Sequence, residues 1–302
     1  MPRDPIPPYP KFAPLGLCHR AEILQYLRRE QPEVSELSFG SIYCWRSGYH
    51  PFGSIMGSLL ILKVRLPNNT MCYGPPIGDG DKVMAVERLF ADGCTHIAGV
   101  TEPLLNALRE HGFSAEPDRD NWDYVYRVED LAHLEGTKYH RRRKDVRRFE
   151  ESARAEYRAM SEEHIEECKR LAEEWCKQMD CEEHESLRFE KDAILCALEN
   201  LRALDLFGGV ALADRKICAL TIAEHLRDGM AVTHFEKADP FVTGAYQYIN
   251  REFAAHALSS YDWVNREQDL GIQGLRKNKM SYHPHHMVEK HVITLQGSRS
   301  ER

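Results

Sequence analysis

The sequence predicts an α/β (α+β) protein of two successive units, each a mixed, largely antiparallel sheet flanked by helices. Three observations predict it. The 302 residues are 42% hydrophobic, which is enough for one large domain or two ordinary ones. Short runs rich in branched and aromatic residues alternate with helical periods along the chain. The last third runs strand, strand, strand, helix, strand, short helix, strand, and the first half repeats that order loosely, with no residue-level repeat.

Five prolines in the first ten residues make 1–17 an extended lead-in rather than a signal peptide. A first unit over 18–136 opens with a short helix at 20–30. Strands are expected at 38–45 and 57–66, and Asn68-Asn69 marks a turn. MCYGPPIGDG leads from a strand into a loop. Residues 81–92 are helical, with Val83, Met84, Val86, Leu89 and Phe90 on one apolar side. A strand at 96–100, a helix at 102–111 and a last strand at 124–128 complete the unit.

A connecting helix over 137–160 has a different texture. Seven of the twelve residues in KYHRRRKDVRRF, 138–149, are Lys or Arg, and only Asp145 is acidic. Tyr139, Val146 and Phe149 fall near one stripe, which leaves the cations to the other sides. The second unit, 161–296, begins with a helix carrying Ile165, Cys168, Leu171, Ala172, Trp175, Cys176 and Met179 at helical spacing. Ser161-Glu162-Glu163 supplies its cap and the acids its dipole favours. A second helix carries Ala193, Ile194, Ala197, Leu198 and Leu201. FGGVALA, KICALTIAEHL and MAVTHFEK then form a meander, turning at Asp214-Arg215 and Asp228-Gly229. A helix at 244–258, a strand at 261–265, a charged segment and a strand at 287–295 follow. Residues 297–302 are a tail.

The formal charge is 40 minus 47, or −7, so attraction to nucleic acid or anionic lipid must be local. The nine cysteines form no CxxC pair; a zinc ribbon and a disulfide framework have no support, and reduced, mostly buried thiols are expected. No apolar run approaches 18 residues, so no transmembrane segment is expected. The expected location is cytoplasmic, with at most peripheral contact to the inner face of the membrane. His283, His285, His291 and Glu289 lack the spacing of a zinc site, and no metal is expected.

The segment WVNREQDLGIQGLRKNKMSYHP, 263–284, concentrates the chemistry. If Trp263 and Val264 are strand interior, Asn265, Arg266 and Glu267 emerge at the strand's C-terminal end, where open α/β sheets gather ligands. Gly271 and Gly274 would let backbone approach closely. Arg276, Lys277, Lys279 and Tyr282 could face a phosphate or a developing oxyanion; the alternative is a charge network that closes a corner. On the preceding long strand, alternation places His234 and Glu236 on one face and Lys237 on the other. Glu236 could serve as a general base or could be a buried carboxylate paired with an arginine.

That order in the second half is what a GNAT-type acyltransferase fold requires. YVYRVEDLAHLEGTKYHRRRKDVRRF, THFEKAD, GAYQYIN and WVNREQDLGIQGLRKNKMSYHP together resemble stand-alone bacterial members of the family named for the C-terminal domain of phosphatidylglycerol lysyltransferase. The likeness spans roughly 35–290. It implies two GNAT-like units in tandem, as in Fem-type peptidyltransferases, and an aminoacyl-tRNA or acyl-CoA co-substrate. The GNAT fold holds the coenzyme A diphosphate on Q/R-x-x-G-x-G/A at a helix N-terminus. Here Phe241 stands in place of the first residue, Tyr246 in place of the last, and Asp239 brings the wrong charge; Gly244 and Ala245 remain. A flippase portion of the named relative is not part of this sequence.

These readings define the expected function: an acyl-group transferase moving an aminoacyl group from tRNA to a lipid or peptide. The rivals are an acyl-CoA-dependent N-acetyltransferase and a non-catalytic RNA- or lipid-binding protein on the same fold. Arg142 and Arg143 of the basic helix, with Asn265, Lys277, Lys279 and Tyr282, would hold donor phosphates. Arg266, Arg276 and Lys277 would steady the ester, and Glu236 or Glu267 would manage the proton.

Overall fold

The computed structural model describes residues 5–295; the expected tail at 297–302 lies outside them. Two compact units emerge. The first takes the chain through Asp123, Gln268–Arg276 and the stretch from Met287; the second takes Tyr124–Glu267 and Lys277–His286.

The first unit's sheet runs in the order Ala13–Pro14, Pro51–Met56, Leu59–Arg65, Met71–Tyr73, Ile97–Val100, His291–Leu295, Phe113–Pro117. Tyr73 pairs with Ile97 in the one parallel contact of that order among the described residues. Leu59 and Ile61 face Val86, Leu89 and Phe90 of helix Lys82–Ala91 in one core. That helix starts where it does because the Asp81 carboxylate accepts the Met84 N–H at 2.9 Å.

The second unit's sheet runs His286–Val288, Asp123–Arg127, Trp263–Asn265, Met230–Ala238, Lys216–Arg227, Phe207–Ala213, Ala155–Ala159. Met230–Ala238 and Trp263–Asn265 are parallel. Lys216–Arg227 is buried without a break from Ile217 to Glu224, as a strand covered on both faces must be. Helices Ile165–Gln178 and Ala245–His256 pack on it and on Met230–Ala238. Each unit thus has an antiparallel meander, a helix and a parallel strand, the arrangement of tandem GNAT-like units.

Several expectations change. Residues 38–45 form no strand: Phe39–Cys44 is a helix whose first turn is closed by the Ser38 hydroxyl accepting from Ser41 N–H at 3.2 Å. Aromatic content without alternation is a weak strand signal, and the strand lies at Pro51–Met56 instead. Strands Phe113–Pro117 and Ala155–Ala159 were not expected. The strand at 124–128 joins the second sheet. The expected strand at 287–295 breaks in two: His286–Val288 lies in the second sheet and His291–Leu295 in the first, where Ile293 enters the core. Lys290 explains the break. Its ammonium is 1% exposed and held by Asp123 at 2.8 Å and Glu36 at 2.5 Å, so the chain must turn to deliver it. Each half of the sequence therefore completes the other half's sheet, and the boundaries expected at 136 and 161 shift. The 137–160 connector resolves into helix His140–Ser152 and strand Ala155–Ala159, both in the second unit. Cys176 and Cys181, with Cα atoms 5.2 Å apart, are disulfide-bonded, a departure from the expected reduced thiols. No helix among the described residues is long and apolar enough to cross a membrane.

Candidate functional site

In the second unit the parallel pair stays in register from Met230 opposite Trp263 to Val232 opposite Asn265. Beyond that point Met230–Ala238 continues alone on that side. Arg266 fills the opening. Its Nη2 donates to Glu236 Oε1 at 2.9 Å, and its guanidinium lies 5.0 Å from the Tyr282 ring and 5.5 Å from the Tyr126 ring. Burial alone would lower the arginine's pKa, but the Glu236 carboxylate together with Tyr126 and Tyr282 outweighs it and the net direction is up. Burial pushes the Tyr282 hydroxyl up to about 12, so it is a neutral donor at physiological pH. The other Glu236 oxygen accepts from Asn250 Nδ2 at 3.2 Å. Glu236 is thus the arginine-paired carboxylate that was one of its two sequence readings.

His234 is the extra residue of a bulge, since Thr233 faces Ala223 while Phe235 faces Ile222. Its ring bridges two carboxylates, Nε2 to Glu224 and Nδ1 to Glu267, each at 2.8 Å. Burial opposes its charge, yet those two hydrogen bonds and charges raise its pKa to about 10. Glu267 is occupied by this bridge, and Asn265 Oδ1 accepts the Glu267 N–H at 2.7 Å. Lys237 donates to Glu190 at 2.8 Å and lies 3.7 Å from the Trp175 ring centre.

The remaining sequence-chosen residues divide. Lys279 Nζ donates to the carbonyls of Arg266 and Glu267 and so holds the strand exit. Arg142 donates to Asn278 Oδ1 at 2.8 Å and to the Ser281 hydroxyl, and lies 4.3 Å from the Tyr282 ring. Arg143 donates to the carbonyls of Leu134 and Gly136. Arg276 belongs to the first unit, where it meets the fully buried Asp269 at 2.8 Å and Asp120 at 2.7 Å; Arg119 also reaches Asp269. Gly271, at φ +73°, lies against Asp120, and a Cβ there would come within 2.8 Å of that carboxylate. That part of the segment is the corner-closing network. Lys277 is exposed.

Gly244 and Ala245 are buried. Gly244 sits at φ +86°, and a Cβ there would lie 2.3 Å from the Asp145 carbonyl oxygen. Helix His140–Ser152 therefore packs directly on the N-terminus of Ala245–His256. On its outer side, Arg141, Lys144, Arg147 and Arg148 are exposed and form no ion pair among the described residues. They span an arc of roughly 120° at 100° per residue.

Asn250 and Thr221 were missed. Both sit inside otherwise apolar patterns, GAYQYIN and CALTIA, and a polar residue on the buried side of such a pattern was the available signal. A cleft of about 590 Å³ lined by Arg127, Glu129, His133, Tyr261 and Trp263, among others, lies at the other end of the same strand pair, about 20 Å along the strand from Glu236.

The sequence profile of the family described as "Phosphatidylglycerol lysyltransferase, C-terminal" matches residues 27–294. The chain belongs to this family. A conserved protein of unknown function from Bacteroides thetaiotaomicron VPI-5482 is 32% identical over 94% of this chain and 99% of its own, with a TM-score of 0.88. The C-terminal domain of a candidate lysylphosphatidylglycerol synthetase from Agrobacterium fabrum is similar in fold at 12% identity, covering 93% of each chain, TM-score 0.65. FemX shares the fold at 9% identity over 94% of this chain and 97% of its own, TM-score 0.55. No curated protein sequence matches the chain.

Proposed function

We propose that this member of the phosphatidylglycerol lysyltransferase C-terminal family is an acyl-group transferase that takes its acyl group from an aminoacyl-tRNA and delivers it to a lipid or peptide acceptor. The packing at Gly244 carries the choice of donor. An acyl-CoA enzyme of this fold needs its helix N-terminus open to a diphosphate; here the Asp145 carbonyl stands against it, with Phe241 and Asp239 in the preceding loop. The four exposed cations of helix His140–Ser152 suit a polyanionic donor, with affinity that falls steeply with salt.

The chemistry needs an acceptor hydroxyl or amine to attack the donor's ester carbon. The C–O bond to the tRNA ribose breaks, and the nucleophile's proton ends on the ribose oxygen. Arg266 would hold the ester oxygen through the positive charge that Glu236, Tyr126 and Tyr282 keep in place. Glu236, hydrogen-bonded to Arg266, would then lie near that oxygen and pass the proton.

The test is transfer of a radiolabelled amino acid from charged tRNA to a bacterial lipid extract and to a peptide acceptor. Label should move with the wild-type protein and fall at least about 100-fold in Arg266→Met, the cost typical of losing one oxyanion donor. Label that reaches no acceptor, with product formed from acetyl-CoA, would establish the N-acetyltransferase; salt-released nucleic acid with no product from either donor would establish a binding protein.

A further inference from the structure

The Glu236 cluster is incompletely paired. Asn250 is 5% exposed and Thr221 is fully buried, yet Asn250 Oδ1, Thr221 Oγ1 and Arg266 Nη1 have no hydrogen-bond partner. The three residues that carry them adjoin one carboxylate, that of Glu236. Arg266 and Asn250 each donate one hydrogen bond to it, and Thr221 stands opposite Glu236 on the adjoining strand, so their side chains share a face. Buried polar atoms in folded proteins are almost always satisfied, and each exception asks for a cause.

The three atoms specify what would satisfy them. Arg266 Nη1 only donates, Asn250 Oδ1 only accepts, and Thr221 Oγ1 does either. The occupant must offer an N–H or O–H next to an acceptor oxygen. An α-amino ester does so, because its amino nitrogen and carbonyl oxygen are separated by only two atoms. A plain acyl ester or thioester has acceptors alone and leaves Asn250 Oδ1 unmet.

We infer that this cluster reads the donor's α-amino group: Asn250 Oδ1 and Thr221 Oγ1 accept from the amino group while Arg266 Nη1 donates to the ester carbonyl oxygen. The inference rests on the aminoacyl reading above and adds to it the residues that separate aminoacyl from acyl donors. Neither Asn250 nor Thr221 need touch the nucleophile; they are specificity-determining positions. A site built around a hydrogen bond rejects an analogue lacking that group far more strongly than an apolar pocket rejects a missing methylene.

The experiment is a titration of ¹⁵N-labelled full chain with l-alanine methyl ester and l-lysine methyl ester, each against its counterpart lacking the α-amino group, methyl propanoate and methyl 6-aminohexanoate. The Asn250 side-chain amide signals are the readout. Both amino esters should shift them, binding at least about tenfold tighter than their counterparts, and Asn250→Leu, followed through the backbone amide signals of Ile249 and Arg251, should erase that ratio while melting cooperatively. Equal binding of the two classes, or no shift with any ester, overturns the inference; the wild-type comparison stands even if Asn250→Leu does not fold. The transfer assay separates the two claims. Transfer from charged tRNA without ester discrimination removes only the role of Asn250 and Thr221. Discrimination without transfer to any acceptor removes the transferase and leaves the amino-ester site.

Discussion

Each unit buries a charged cluster beside its sheet, and the two clusters are finished differently. In the first unit Lys290 meets Glu36 and Asp123, and Asp123 also accepts from the Ser35 hydroxyl at 3.0 Å and from its N–H at 2.8 Å. Gln268 donates to Glu36 at 2.6 Å. No buried side-chain atom of this cluster lacks a partner among the described residues. In the second unit Arg266, Glu236, Asn250 and Thr221 leave three such atoms open. The saturated cluster holds chain segments of the first unit together, whereas the open atoms of the second are those we infer the donor's amino ester to fill. Burial alone does not tell them apart; the accounting of donors and acceptors does.

The largest test of that contrast is Lys290→Met. It strands two carboxylates, one of them fully buried, and should lower unfolding free energy by about 3–5 kcal/mol in a denaturant titration. A loss below about 1 kcal/mol would show that the first cluster holds nothing together. Gly244→Ala comes next. It combines left-handed backbone with a Cβ driven into the Asp145 carbonyl, and about 3 kcal/mol should be lost. A variant as stable as wild type would reopen that helix N-terminus to a diphosphate.

His234 gives a pH-dependent effect. Its folded pKa of about 10 lies above the ordinary 6.5, so the folded state binds the extra proton more tightly. The stabilisation is complete below about pH 6.5 and is lost as pH rises through about 10. Melting temperature should therefore decline across that window in wild type, and the decline should be shallower in His234→Gln. Parallel curves would mean the bridge to Glu224 and Glu267 adds nothing. The smallest stability effect belongs to the exposed cations. Reversing Arg141, Lys144, Arg147 and Arg148 to Glu should change stability by no more than about 0.5 kcal/mol per site, yet abolish salt-sensitive tRNA retention in a filter assay. Retention unchanged at low salt would remove this face from the proposal.

Much of the second unit was legible before any coordinates. Its meander turns where Asp214-Arg215 and Asp228-Gly229 said it would, with Asp214, Arg215 and Gly229 at positive φ. The basic helix turns Val146 and Phe149 inward. The exit at Asn265–Glu267 also sits where the segment's composition placed it, and Arg266 does meet Glu236 there. Lys279 and Arg276 were harder, because a cation that caps a carbonyl and one that faces a ligand look alike in a string of letters.

By itself the sequence determined the meander and most helices of the second half, the apolar side of those elements, and the family to which the chain belongs. These properties depend on periods of two and 3.6 residues and on motifs read locally. Only the tertiary structure decided that Asp123–Arg127 and His291–Leu295 each complete the sheet of the opposite half, and that Arg276 serves Asp269 while Arg266 serves Glu236. Strand partners and charge partners are chosen by distance across the fold, between residues up to 254 positions apart, and nothing in the local pattern carries that distance.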